Sequence, residues 1–242
     1  MSVAEAVQAL VPHVTVGPAA RAGGVRGFFR AAVAGLPDTA QFTVSDGRGR
    51  FTVRYPDRAE LHVGSLAKVV EAAAAMRTRF EAALDHLRLV SIDLGQEGFV
   101  SGRWAGVAEA SVGQVHLNAS LFLAGEYALV EEVTAHELWH QIEIAFNARR
   151  YRESIEFRRA VGAYFGVETI EHAVERAGQA HDQLVREVSD YAATSAIEAT
   201  AELAGKWWCS RGRDDQPAVF RHFGAVVDRF FPPPAPPTEG AR

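Results

Sequence analysis

The chain is short of cysteine and has no long apolar run. Cys209 is its one cysteine in 242 residues, so an intramolecular disulfide and a cysteine-based zinc finger are both excluded. No stretch approaches the roughly 20 apolar residues of a membrane-spanning helix. The N-terminal MSVAEAVQAL also lacks the basic start and apolar core of a secretory signal. We therefore expect no membrane span and a cytoplasmic location by default, with export by a signal-less route left open.

Positive charge is also scarce. The chain has 25 basic and 30 acidic residues, a net charge of −5, and only Lys68 and Lys206 are lysines. Because nucleic-acid-binding domains are usually basic, nucleic acid is not an expected partner. Hydrophobic residues make up 48% of the chain and charged residues 23%, which is typical of a globular protein that can bury a core.

Hydrophobic periodicity predicts strands in the first half of the chain and almost continuous helix in the second. The alternating runs around Asp46-Gly47 predict a β-hairpin over 40–55. Ser65 is expected to cap a long helix, and 113–118 is expected to be a strand near the sheet edge. The glycine-rich stretch 95–113 is expected to be mostly loop, with room for one strand. Further predicted elements are a strand over 87–94 and helices over 3–10, 19–35, 126–148, 152–164, 168–187, 189–208 and 216–230.

These elements predict one α+β domain over 1–231, with a small mixed sheet and a largely helical C-terminal half. Residues 1–60 form an N-terminal extension whose packing the pattern does not predict, and 61–231 form the core of the domain. The segment PPPAPPTEGAR at 232–242 is rich in proline and has no apolar residue larger than alanine. We expect this tail to be disordered.

The segment 134–141, TAHELWHQ, contains two histidines at a spacing that suits a metal ion. His136 and His140 are four residues apart, so on a helix they project from the same face. Glu137 lies about 100° around that helix, close enough to act on a water at the metal without ligating the metal. The flanking apolar residues predict a mostly buried helix, where unpaired imidazoles and carboxylates are costly. Two histidines cannot complete a catalytic site, so a third ligand is needed.

Glu198, in the segment SDYAATSAIEATAELA at 189–204, is the best third ligand. Glu198 and Glu202 share one face of an otherwise apolar predicted helix, which a metal opposite Glu198 explains. Glu202 is then expected to hold the outer N–H of a histidine ligand. Glu143 and Phe146 occupy the positions where metzincins have glycine and histidine, which excludes that class. Other possible ligands, all on faces expected to be exposed, are His172, His181, Asp182 and Asp190.

A two-histidine motif followed by Tyr-x6-Glu-x3-Glu resembles the gluzincin peptidases, and most closely the family of the anthrax lethal factor catalytic domain. Tyr191, Glu198 and Glu202 match that spacing, and the resemblance covers about 130–205. The chain departs from the family at Ser195 and Ala196, where the family has an Asn-Glu pair.

The resemblance implies a zincin-like fold, with an active-site helix that contains the histidines and a catalytic core over 61–231. It implies Zn²⁺ as the cofactor, Glu137 as the general base and Tyr191 as a hydrogen-bond donor to the transition state. The implied zinc ligands are His136, His140 and Glu198.

These residues predict a zinc-dependent peptidase that hydrolyses a protein or peptide substrate, with Glu137 accepting a proton from the attacking water. An extended substrate is expected to add to the strand 113–118 through backbone hydrogen bonds. Three alternatives stay open. The same chemistry can serve a toxin or effector with one protein target, the fold can serve as a catalytically silent binding or regulatory module, and the chain can be a helical interaction protein without metal.

Overall fold

One mixed sheet runs through the part of the chain that the structure describes. The structure is a computed structural model that describes residues 1–18, 20–21, 39–47, 49–56, 62–93, 106–109, 113–119, 122, 127–175 and 177–233. Within these ranges seven strands are arranged in the order β1-β3-β4-β5-β7-β6, and β2 also pairs with β3. The strands are β1 (Thr15–Val16), β2 (Ala20–Arg21), β3 (Thr39–Ser45), β4 (Arg50–Pro56), β5 (Leu89–Asp93), β6 (Gly106–Glu109) and β7 (Gln114–Asn118).

Nine α-helices accompany the sheet in the described ranges, so the α+β class is confirmed. They are α1 (Val3–Leu10), α2 (Val63–Arg79), α3 (Glu81–Leu84), α4 (Tyr127–Arg149), α5 (Tyr151–Gly162), α6 (Ile170–Glu175), α7 (Gln179–Glu187), α8 (Ala196–Ser210) and α9 (Ala218–Phe230). The helices α2 and α3 connect the parallel neighbours β4 and β5, as a crossover between parallel strands requires. No helix in the described ranges is long and apolar enough to cross a membrane.

The described residues among the first 56 contribute to the same sheet and the same hydrophobic core as the rest of the described chain. The predicted hairpin is confirmed: β3 and β4 pair antiparallel, and Gly47 has a φ of 79°, a conformation that a glycine adopts without strain. The predicted helix over 19–35 is wrong at Ala20–Arg21, which forms a strand paired with β3. This long-range pairing overrides a local helical pattern that glycines already weaken. The remainder of that predicted helix lies outside the described residues.

The long helix α2 begins earlier than its sequence pattern predicts. Its N-cap residue is His62, whereas Ser65 lies fully buried inside the first turn, so the predicted cap at Ser65 is wrong. The predicted apolar face is also interrupted at Phe80, where the backbone leaves the helical region. The Phe80 side chain packs into an aromatic cluster at this point, and α2 ends there.

The strand over 113–118 is present as β7 and lies near the sheet edge as predicted, but it is not the outermost strand. It pairs parallel to β5 on one side and antiparallel to β6 on the other. Gly106 lies opposite Leu117, and Glu109 lies opposite Gln114. The outermost strand on this side of the described sheet is therefore β6, a short strand whose glycine and alanine give little hydrophobic signal.

Two of the predicted C-terminal helices are each divided in two. The predicted helix over 168–187 breaks between α6 and α7, where Gly178 has a φ of 155°. The predicted helix over 189–208 breaks at Ser195, whose extended backbone ends a short 3-10 turn over Ala192–Thr194. Ser195 then caps α8, since its side chain accepts a hydrogen bond from the Glu198 backbone N–H at 3.1 Å.

An aromatic cluster anchors one face of α4. The ring of Trp139 lies 5.4–5.9 Å, between centroids, from the rings of Phe80, Phe157, Phe223 and Phe231. Phe231 is partly buried and packs against the core, whereas the next two residues, Pro232 and Pro233, are exposed. The rest of the predicted disordered tail, 234–242, lies outside the described residues.

The opposite face of α4 crosses α8 at small residues. Ala201 and Ala204 are buried on α8, and a Cβ atom on Gly205 would lie 2.9 Å from the backbone oxygen of Glu132 and 3.5 Å from the Cβ of His136. A glycine at this point lets the two helices approach closely, which brings the first turn of α8 towards the histidines of α4.

We expect Gly205→Ala to destabilise the protein, by a net amount of about 1 kcal/mol. In an uncrowded helix this change stabilises by up to about 1 kcal/mol, because alanine has the higher helix propensity. Here the added methyl group meets a backbone atom, so the helices must separate. The free energy of unfolding of the metal-free protein, measured in denaturant, checks the sign. A Gly205→Ala variant more stable than the wild type would contradict the close crossing.

Candidate metal centre

The helix α4 holds three of the predicted site residues in one buried segment. His136 is 7% exposed and Glu137 5% exposed, and His140 is half-buried one turn further on. Trp139, packed in the aromatic cluster, holds the other side of the same turn. Because α4 is anchored on that side, its histidines face the crossing with α8.

Glu198 reaches the two histidines from the first turn of α8. Its Oε2 lies 3.1 Å from His136 Nε2 and 3.4 Å from His140 Nε2, and the two Nε2 atoms are 3.1 Å apart. Ligand atoms bound tetrahedrally at about 2.0–2.1 Å from one zinc-sized ion are roughly 3.3–3.4 Å apart. The observed triangle is close to that size, so these three residues could hold a metal ion.

The structure also places Glu202 where the sequence predicts it. Glu202 Oε1 lies 3.4 Å from His136 Nδ1, on the side of the imidazole away from Glu198. Ser189 donates a hydrogen bond to Glu202 at 2.8 Å, and Lys206 lies 3.5 Å from the same carboxylate. Glu202 therefore orients the outer nitrogen of a histidine whose other nitrogen faces the candidate site.

The other possible ligands lie away from this cluster. His172 is on α6, and His181 and Asp182 are on α7. His181 Nδ1 lies 3.2 Å from the backbone oxygen of Val174, which is an ordinary structural contact. Asp190 is exposed and lies before the 3-10 turn that precedes α8. The group that the structure brings together is His136, His140 and Glu198.

Glu137 lies against the outermost strand, β6. A Cβ atom on Gly106 of β6 would lie 2.5 Å from both the Cγ and the Oε1 of Glu137. The two residues line a cavity of about 310 Å³, together with His140, Tyr191 and Glu198. The carboxylate therefore lies between the edge of the sheet and the possible metal ligands.

Tyr191 lies on the other side of the cavity, on the turn before α8. Its ring stacks on the imidazole of His136, with centroids 6.1 Å apart and planes at 28°. Burial, together with the negative charge of Glu198, raises the pKa of the Tyr191 phenol to about 12. The phenol consequently keeps its proton at neutral pH and can donate a hydrogen bond.

The charges of the cluster shift the pKa values of its members. Burial lowers the pKa of His136, but its contacts with Glu198 and Glu202 outweigh burial and raise the pKa to about 9. Burial alone would raise the pKa of Glu198, but the two histidines hold it well below the ordinary value. The pKa of Glu137 is raised, chiefly by its own burial. Without a metal, His136 is thus the positive charge that compensates the two carboxylates on α8.

The sequence patterns missed several residues of this site. Gly106 and Ala108 of β6 line the cavity, and neither residue type carries a functional signal of its own. The contact between Lys206 and Glu202 could have been predicted from their spacing. On a helix, an acidic residue four positions before a basic one can form an ion pair with it.

No family model, no curated protein and no solved structure matches this chain.

The affinity of the cluster for Zn²⁺ should rise about tenfold per pH unit between pH 7 and 9, because the metal must displace the proton of His136. The rise should level off near the His136 pKa of about 9. Titration against a competing chelator at fixed ionic strength measures this. Glu202→Gln removes one carboxylate beside His136, so the zinc affinity should stop rising at a lower pH in this variant. Levelling near pH 6.5, the ordinary value for histidine, would contradict the charge arrangement.

Proposed function

We propose that the protein is a zinc-dependent peptidase with a zincin-like fold. The observation that carries this proposal is the convergence of His136, His140 and Glu198. A buried Glu137 lines the same cavity as His140 and Glu198. The three ligand atoms would bind the metal ion, and the carboxylate of Glu137 would transfer the proton. A metal-binding site without catalysis has no need of a buried carboxylate at this position.

Zinc is the metal that suits this set of ligands best. Two imidazoles, one carboxylate and a fourth position for water form a known type of catalytic zinc site. When bound, zinc lowers the pKa of a water molecule and polarises the substrate carbonyl. Glu202, held by Ser189, keeps the His136 ring in position, and outer contacts of this kind commonly support histidine ligands.

Glu137 is the proposed general base. Its carboxylate accepts the proton of the attacking water and then passes it to the nitrogen of the leaving amine. Burial raises its pKa, which brings the carboxylate closer to the neutral range in which a group can both accept and donate a proton. Its place against β6 sets it beside the peptide that would lie along that strand.

Tyr191 is the proposed donor to the substrate oxygen. Charge develops on that oxygen during attack, and a hydrogen bond directed at it favours the transition state over the ground state. The raised pKa keeps the phenolic proton available for this bond. Because Tyr191 is about half exposed and lies on a turn rather than in α8, its ring has room to adjust when substrate binds.

The proposed substrate path runs along β6. An extended peptide can add to the outer edge of a sheet by backbone hydrogen bonds. The strand β7 cannot serve, because β5 and β6 occupy both of its sides. The strand β6 lies directly against Glu137 and borders the cavity, so a peptide paired with it would pass the catalytic residues.

Purified protein should contain about one zinc ion per chain. His136→Ala, His140→Ala and Glu198→Ala should each weaken zinc binding by more than the roughly 10–100-fold that loss of an outer contact costs. His172→Ala and Asp190→Ala are matched controls and should retain the metal. Elemental analysis and chelator competition measure both sets. Loss of zinc from a control but not from Glu198→Ala would identify a different third ligand.

Glu137→Gln should keep zinc and the fold while lowering peptide hydrolysis by roughly 10²–10⁴-fold, because the attacking water loses its base. Tyr191→Phe should also keep zinc but lose about 10²-fold, as expected for one donor to the developing oxyanion. A broad peptide library, analysed by mass spectrometry, is the appropriate assay because the substrate range is not defined. Zinc-loaded wild type that cleaves no peptide, or a Glu137→Gln variant as active as wild type, would contradict the proposal.

A further inference from the structure

A second buried carboxylate lies one turn beyond the histidines and has no role in the proposed reaction. Glu143 is 5% exposed and follows His140 by three residues on α4. Its Oε2 accepts a hydrogen bond at 2.6 Å from the hydroxyl of Thr200, and its Oε1 lies 3.4 Å from Arg158 Nε. It is not part of the cluster that could hold a metal ion.

The bond between Glu143 and Thr200 joins the two helices that carry the possible ligands. Thr200 is fully buried on α8, two residues after Glu198. Its hydroxyl also lies 3.0 Å from the backbone oxygen of Ile197, but it has one proton to donate. The shorter distance and the charge of Glu143 favour the bond between the helices.

Arg158 extends this contact to two more helices. It lies on α5, and its Nη1 donates a hydrogen bond at 3.0 Å to Glu171 on α6. Arg158 therefore lies between Glu143 and Glu171, and it compensates the charge that α4 buries. Four helices are connected through this one group of side chains.

A polar contact at this place is not explained by stability alone. Burying a carboxylate is costly, and well-packed apolar residues often join two helices as strongly as a buried ion pair does. The α8 face against α4 is formed by small residues, such as Ala201, Ala204 and Gly205. Small side chains interlock little, so packing alone does little to prevent α8 from rotating about its axis or sliding along α4. The hydrogen bond between Thr200 and Glu143 is directional and therefore restricts both movements.

We propose that Glu143 and Thr200 are positioning residues that hold α8 in the register at which Glu198 reaches His136 and His140. This inference rests on the metal site of the proposed function but does not require that the protein cleave peptides. It assigns to Thr200 an effect on metal affinity that is separate from any effect on folding stability.

Thr200→Val tests this assignment, because valine keeps the size of threonine and removes the hydroxyl. We expect zinc affinity to fall about tenfold, at the lower end of what loss of a supporting contact costs. Thr200→Ser keeps the hydroxyl and should remain within about twofold of wild type. The ligand-field spectrum of the cobalt-substituted proteins should change in Thr200→Val and not in Thr200→Ser, since it reports the geometry of the ligands.

Thr134→Val is the matched structural control. Thr134 is also fully buried and lies two residues before His136, but its hydroxyl donates at 2.7 Å to Val130 within the same helix. Both valine variants remove one buried hydroxyl bond, and unfolding of the metal-free proteins measures the stability cost of each. The inference predicts that Thr134→Val retains wild-type zinc affinity whatever its stability.

Equal zinc affinity in Thr200→Val and Thr134→Val would overturn the inference while leaving the proposed function intact. If Thr200→Val does not fold, Glu143→Leu removes the acceptor of the same bond, and unchanged affinity there would overturn the inference equally. A wild-type protein that binds no zinc would instead refute the proposed function.

Discussion

Opposite charges facing one another across the α4–α8 crossing are the interaction on which the candidate site depends. His136 lies between Glu198 and Glu202, with one ring nitrogen towards each carboxylate. Burial disfavours every one of these charges separately, so each is stable only because the others are present. A divalent ion between the histidines and Glu198 would replace the proton of His136 as the compensating charge. The cluster is therefore suited to exchange one cation for another without rearranging the helices.

Separate contacts fix the positions of α4 and α8. The aromatic cluster around Trp139 anchors the side of α4 away from the histidines, which limits its rotation. Gly205 permits the close approach of α8, and Ser195 begins α8 at the point that puts Glu198 in its first turn. The positive end of the α8 dipole also favours a carboxylate in that turn.

Much of the candidate site could be predicted from the sequence because its signals are local or chemically unusual. The histidine spacing follows from helical geometry, and two glutamates on an alanine-rich helix need a nearby cation. Glu198, the predicted third ligand, lies beside both histidines in the structure. The hairpin around Gly47 and the helix over 3–10 were predictable for the same reason, since turn chemistry and periodicity act over a few residues.

The features that could not be predicted depend on contacts distant in sequence. The strand β6 has no alternating pattern, and its pairing with β7 makes it the outer strand of the described sheet. Ser65 is a good cap by residue type, but α2 already begins at Val63 and Ser65 is buried within its first turn. The break at Ser195 could not be predicted from the sequence, because serine and the nearby alanines also fit a continuous helix.

The order of the three possible ligands along the chain governs when they can come together. Glu198 follows His136 by 62 residues, so at about 5–20 residues per second it is synthesised roughly 3–12 s later. During that interval the nascent chain contains both histidines and Glu137 but has no third ligand to hold a metal. The site therefore cannot assemble until α8 has emerged from the ribosome and packed on α4. A metal ion held by all three residues would therefore bind only after α8 has packed on α4.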